Sequence, residues 1–140
     1  MDLSLKILHI TPHLGGGVGS VVRGYLEYEI KQSGNVHRVV SLDSLNLESK
    51  DLFNKLGIQW NEKMYLDQDL LSSLITNSDI ILIHWWNHPL LQDLLMNKEL
   101  PDSRIIFWTH ISGNSDPNNF CDFVLKSPQA PYKTFASTEH

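Results

Sequence analysis

The chain has one cysteine, Cys121, in 140 residues. No internal disulfide can form, and the chain suits a reducing compartment. It has no apolar run approaching the length that crosses a bilayer. Residues 1–10 lack the pattern of a secretory signal, because their apolar run is too short and Asp2 stands at the front. A soluble cytoplasmic protein is therefore the expectation, with peripheral contact with a membrane left open. Basic residues are the minority, 11 Lys and Arg against 16 Asp and Glu, for a net charge of −5. No Lys/Arg cluster overrides that balance. Nucleic acid is not an expected partner, since binding a phosphate backbone needs a basic face. Repeats and low-complexity tracts are also absent. What remains is about one domain, 41% apolar, with enough chain for a core.

The stretch that organises this chain is Thr11-Pro-His-Leu-Gly-Gly-Gly-Val-Gly-Ser20. A short apolar run at 5–10 precedes it, and an apolar-periodic segment at 21–30 follows. That order reads as strand, glycine loop, helix. Gly15, Gly16 and Gly17 carry no Cβ, so the backbone can turn sharply and come close to a ligand. The helix behind them offers free N–H groups and the positive end of its dipole. A phosphate is the natural occupant of such a place. Two common phosphate motifs are nevertheless excluded. The third glycine of a dinucleotide fingerprint would fall at Ser20 or Val22, and Thr11 to Leu14 separate the strand from the glycines. A P-loop would need a lysine after the glycines, and none follows.

Along the rest of the chain, strand and helix patterns alternate. The first helix should bury Val18, Val22, Tyr25 and Leu26 and turn Arg23, Glu27 and Lys31 to solvent, with Glu29 on the solvated face. Gly34 is the expected left-handed cap. A second strand is expected at 36–42, loop at 43–50, a short helix at 51–56 ended by Gly57, and an edge strand at 58–60. Asp67 should cap a helix over 67–76. Ile80-Ile-Leu-Ile83 is the clearest buried strand, and Pro89 should open a helix running to about Met96. A fifth strand is expected at 104–109, a helix from Asp116-Pro117 to Ser127-Pro128, and a last strand at 133–136. This alternation predicts an α/β fold: a doubly wound, mostly parallel sheet of about six strands in a Rossmann-like three-layer sandwich, with the first strand central.

Ligands of such sheets sit at the carboxyl ends of the strands. The unusual residues collect there: Gly15 to Gly17, then His84-Trp-Trp-Asn-His88, then His110-Ile-Ser-Gly-Asn-Ser115. Gly16, His84 and His110 are expected along one edge, lining a cleft open to solvent. His84 and His88 are four apart, but the pair straddles a strand end and Trp85 stands where a zinc protease needs Glu, so no metal site is expected. Trp85 and Trp86 are read first as core, with stacking on a sugar or base as the functional alternative. Cys121 is read as a small core residue. Asp43 is read as a loop acid.

These residues resemble a family. Ile7-Leu-His-Ile-Thr-Pro12, then Gly15-Gly-Gly-Val-Gly19, then a long helix, is similar to the opening of a retaining glycosyltransferase of the GT-B fold, family 4 (group 1). Ile80-Ile-Leu-Ile-His84-Trp resembles that family's fourth-strand signature, and Phe107-Trp-Thr-His110 its strand-then-histidine motif. Ile111 departs from the acidic residue that follows this histidine in many members. The resemblance covers nearly the whole chain. It implies the amino-terminal, acceptor-side domain of a hexosyltransferase-type enzyme whose carboxyl-terminal donor domain is missing here. Donor or substrate binding would then fall to Gly15, Gly16, Gly17, His84, Asn87, Ser112 and Gly113, with His110 as the catalytic residue near the reacting carbon. The partners implied are a nucleoside-diphosphate sugar, an acceptor of unknown kind and the missing domain. No further cofactor and no metal are implied. On this reading the chain alone is inactive, and apolar surface left by the missing domain would favour self-association. Two other classes stay open: a dinucleotide-binding domain of an oxidoreductase, and a non-catalytic flavodoxin-like binding module.

Overall fold

A computed structural model describes residues 4–110 and 133–137, the latter by backbone alone. Strands β1 (Lys6–Thr11), β2 (Val36–Ser41), β3 (Gln59–Asn61), β4 (Ile80–Trp85), β5 (Ile105–Thr109) and β6 (Lys133–Ser137) form one sheet. Its order is β3-β2-β1-β4-β5-β6, and each neighbouring pair is parallel. Four helices connect the strands among the described residues: α1 (Gly16–Gln32), α2 (Leu47–Leu56), α3 (Gln68–Thr76) and α4 (Pro89–Asn97). This is the doubly wound α/β order, with the chain reversing direction across the sheet between β1 and β4. The predicted helix from Asp116 lies outside the described residues.

Two cores sandwich the sheet. On one face Leu8, Ile10, Ile81, Ile83, Trp85 and Phe107 pack with Leu71 and Ile75 of α3 and Leu91, Leu94 and Leu95 of α4. On the other, Val22 and Leu26 of α1 meet Leu14, Val39 and Phe53. Side chains alternate between faces along a strand. The residues interleaved with the first set are therefore turned towards α1, and there the centre of the sheet is polar. His9, His37 and His84 occupy it, all buried.

The local signals explain most boundaries. Asn46 caps α2 by accepting from the Ser49 N–H, so the helix starts earlier than its apolar pattern suggests. Gly57 ends it at φ 73°, a left-handed conformation. Asp67 caps α3 through the Leu70 N–H. Pro89 opens α4, and the His88 ring accepts from the Leu90 N–H.

Three expectations fail. Gly34 is not a left-handed cap. Helix α1 ends at Gln32 with Ser33 extended, and the Ser33 hydroxyl donates to the Glu29 carboxylate at 2.7 Å, which closes the end by side-chain bonding instead. Glu29 is consequently mostly covered, its side chain 19% exposed. Arg23 is buried as well. Its Nη1 donates to Leu14 O and Ser49 Oγ, both at 3.0 Å, tying α1 to the loop before it and to α2. A long guanidinium with five donors can satisfy a buried carbonyl that helical periodicity alone assigns to nothing.

Candidate functional site

The glycine loop joins β1 to α1 at the carboxyl edge. Gly15 is the extended N-cap of α1, with no side chain to satisfy the helix N–H groups. Gly16 follows at φ 65°, where a Cβ would be strained. Among the described residues, and apart from its own helix backbone, a Cβ on Gly16 or Gly17 would meet nothing within 4 Å. Gly19 serves differently. Its missing Cβ would lie 1.8 Å from Leu14 O, so this glycine lets helix and loop pack in contact. Sequence reading did not separate that role from the others.

Aromatic rings link the loop to the ends of the other central strands. The Gly15 N–H donates to His13 Nδ1 at 3.1 Å. The His13 ring lies edge-on to Trp86, centroids 5.2 Å apart, and to His88 at 5.5 Å. Trp86 in turn lies 6.4 Å from His110. The ends of β1, β4 and β5 thus bound one region, with the glycine loop on one side and His110 on the other. Burial lowers the His88 pKa, and neighbouring His13 adds to that, so neutral imidazole is favoured at this rim. His13 was not among the expected site residues, although its place between strand and glycines was a signal for it.

His110 is not on the surface of this region. It is buried, its N–H donates to Trp85 O, and its ring stacks on Trp108 at 4.9 Å. His110 Nε2 lies 2.9 Å from His84 Nδ1. His84 is fully buried and its Nε2 lies 2.9 Å from His9 Nδ1. His9 Nε2 in turn lies 2.8 Å from His37 Nδ1. The expected placement of His84 in an open cleft is therefore corrected: both its nitrogens are spent inside the protein, so it stands behind the site and not in it. The reason is the parity of β4, which turns His84 to the α1 face, where its ring meets Trp108 and Trp108 in turn meets Tyr25 of α1. His9 and His37 were missed altogether, though each is a polar residue within an apolar strand pattern.

Burial dominates the electrostatics of this row. It lowers the His9 pKa from 6.5 to about 3, with the neighbouring His37 adding to the effect. His84 is lowered well below its ordinary value by burial and then by His9 and His110. His37 is lowered by burial against the opposing pull of Glu29.

Of the remaining expected residues, Asn87 is exposed at the rim and accepts from the Gln92 side-chain amide. Trp85 is core, while Trp86 is half-buried at the rim. Ser112, Gly113 and Cys121 lie outside the described residues. No group of three His, Cys, Asp or Glu side chains among the described residues is arranged to hold a metal. A separate cavity of about 340 Å³ lies at the opposite, amino edge of the sheet, lined in part by Lys6, His37, Arg38 and Gln59.

No protein-family model and no curated protein matches this chain. A crystal structure of a hypothetical protein, SMU.573, from Streptococcus mutans is similar in fold, with a TM-score of 0.51 and 13% sequence identity. The alignment covers 97% of this chain and 60% of that one, so the chain spans about three-fifths of its structural neighbour. At that identity the likeness concerns the fold alone. The chain has the Rossmann-like α/β architecture, and among its described residues no helix is long and apolar enough to cross a membrane.

Proposed function

We propose that this chain is the amino-terminal, acceptor-side domain of a retaining GT-B glycosyltransferase, acting on a nucleoside-diphosphate sugar. One observation carries the reading: a capless helix N-terminus with open glycine backbone adjoins a rim of His13, Trp86 and His88, with His110 buried behind Trp86. In glycosyl transfer, negative charge grows on the departing diphosphate while the sugar becomes oxocarbenium-like. The N–H groups of Gly16 and Gly17 and the α1 dipole would stabilise the first. His13, Trp86 and Asn87 would orient the sugar or the acceptor, and His110 would act from just beneath them. The donor's nucleoside would be held by a second domain across the cleft.

The strand order supports a second reading. The sequence β3-β2-β1-β4-β5-β6 is also that of dinucleotide-binding domains, and Asp43 stands just beyond β2, where such domains hold a ribose. Against it, the Asp43 carboxylate already accepts from the Ser44 N–H at 2.8 Å.

Calorimetric titration with UDP- and GDP-sugars and with NAD, side by side, separates the readings. The glycosyltransferase reading expects weak or no binding of nucleotide-sugar by this chain alone. It expects binding and turnover once the chain is joined to a carboxyl-terminal donor domain. Tight binding of NAD by the chain alone would overturn it. Turnover of nucleotide-sugar by the chain alone would refute the division of labour between domains.

A further inference from the structure

The cavity of about 340 Å³ at the amino edge takes its walls from β1, β2, β3 and the end of α3. Strand parity decides which side chains reach it. Lys6 shares the face of Leu8 and Ile10, and Arg38 shares that of Val40, which is the face covered by α3 and α4. Gln59 is in register with Arg38, and Arg38 Nε donates to Asn61 Oδ1 on that face at 3.2 Å. Ile7 and His37 have the opposite parity and give the cavity backbone, while the His37 ring bonds His9 on the α1 side. Lys6, Arg38 and Gln59 are thus the polar side chains that three neighbouring strands bring to one cavity.

Their chemistry is one-sided. Lys6 has three ammonium donors, and Arg38 keeps both Nη groups once Nε is spent on Asn61. Among the described residues no carboxylate forms an ion pair with either cation. Asp79 accepts from the Lys6 backbone N–H at 2.8 Å and not from its ammonium. The chain has 16 acidic residues against 11 basic, so a shortage of carboxylates does not explain two unpaired cations on neighbouring strands. The negative end of α3, which would repel an anion, is covered by its own side chains. Asn77 Nδ2 donates to Ser73 O at 2.9 Å, and Ser78 Oγ donates to Leu74 O at 2.8 Å.

We infer that this cavity is a second binding site, for a phosphomonoester on a small apolar body. Two unpaired cations match the charge of about −2 that a phosphomonoester carries at neutral pH. The Arg38 fork suits two phosphate oxygens, and the Lys6 ammonium a third as a point charge. Val36, 57% exposed, and the partly buried Leu74 supply an apolar wall for the rest of the ligand. The volume stands at the lower end of the range of about 300–1,000 Å³ for small-molecule pockets, which suits a phosphate and one ring. The site lies at the opposite ends of β1 and β2 from the glycine loop, so it stands apart from the function proposed for that edge.

The test is proton–nitrogen NMR of the full 15N-labelled chain, titrated with phenyl phosphate, inorganic phosphate and benzoate at fixed pH and ionic strength. Phenyl phosphate should give saturable shifts at the amides of 36–38 and 57–59, and inorganic phosphate should move the same amides at higher concentration. Benzoate, with one charge, should bind more weakly by about tenfold. Lys6→Gln and Arg38→Gln should each weaken phenyl phosphate by about tenfold, as loss of a charge-assisted bond does. Gln59→Glu leaves both cations in place but gives them a carboxylate, and should weaken binding to a similar degree. Lys6 and Gln59 are exposed, so their variants decide if Arg38→Gln fails to fold. Shifts that do not saturate, that benzoate reproduces at equal concentration, or that persist undiminished in Lys6→Gln and Gln59→Glu overturn the proposal. Shifts confined to the glycine-loop amides overturn it too, and would place phosphate at the carboxyl edge alone.

Discussion

The carbonyl oxygen of Leu14 lies where a Cβ of Gly19 would be, at 1.8 Å. The same oxygen accepts from Arg23 Nη1 at 3.0 Å and from Asn46 Nδ2 at 3.1 Å, so it cannot move aside without breaking two bonds. Gly19→Ala is therefore expected to destabilise the fold by about 3 kcal/mol, as overpacking against fixed backbone does. The check is urea unfolding, where the midpoint should fall with little change in slope. Gly17→Ala, where a Cβ would meet no described atom beyond its own helix within 4 Å, should not lower the midpoint. Equal losses from the two substitutions would contradict this division between a packing glycine and one that packs against nothing.

Arg23 is the cation that holds the glycine loop from behind. Arg23→Met keeps the apolar stem and removes the donors to Leu14 O and Ser49 Oγ, at an expected cost of about 2 kcal/mol. Its ion pair with Glu48 spans 3.5 Å, and the Glu48 side chain is 73% exposed. Glu48→Ala should accordingly change stability by no more than about 0.5 kcal/mol. Thermal or urea midpoints of the two variants give the comparison, and a larger loss for Glu48→Ala would refute it.

His9→Leu should cost about 3 kcal/mol, because it strands His37 Nδ1 and His84 Nε2 in a dry interior. His88→Leu loses one cap bond to the Leu90 N–H and should cost about 1 kcal/mol. The ranking, measured by denaturant unfolding, is the test. A His9→Leu chain as stable as the original would mean that the row is not bonded in solution.

Acid should destabilise the protein well above the usual carboxylate range. His9 has a folded pKa of about 3 against an ordinary 6.5, so between those values the unfolded chain binds a proton that the folded chain refuses. The unfolded state holds more protons, and stability therefore rises with pH across that window and falls as the medium is acidified. Each such histidine contributes a slope of about 1.4 kcal/mol per pH unit below 6.5. His84 and His37 shift in the same direction through burial, and Glu29, lowered first by the Ser33 hydroxyl, adds to the loss at lower pH. The urea midpoint should be clearly lower at pH 5 than at pH 7.5. A flat profile would show that the row is not held neutral.

The alternation of short apolar runs with amphipathic segments was enough to predict a parallel doubly wound sheet, because the periods of strand and helix are local properties of the chain. Local chemistry likewise marked Gly57, Asp67 and Pro89, since a cap or a turn depends on a few adjacent residues. The glycine loop was legible for the same reason. The histidine row was not. The three links of the row join residues 28, 75 and 26 positions apart in the sequence. A period of two reveals that His9 and His37 share a parity with their strand's inner face. It does not reveal which strands are neighbours, nor the register that sets one ring against the next. Only the pairing of β2 with β1, β1 with β4 and β4 with β5 brings the imidazoles into bonding distance. The burial that favours neutral His9, His37 and His84 follows from helix α1 closing over that pairing.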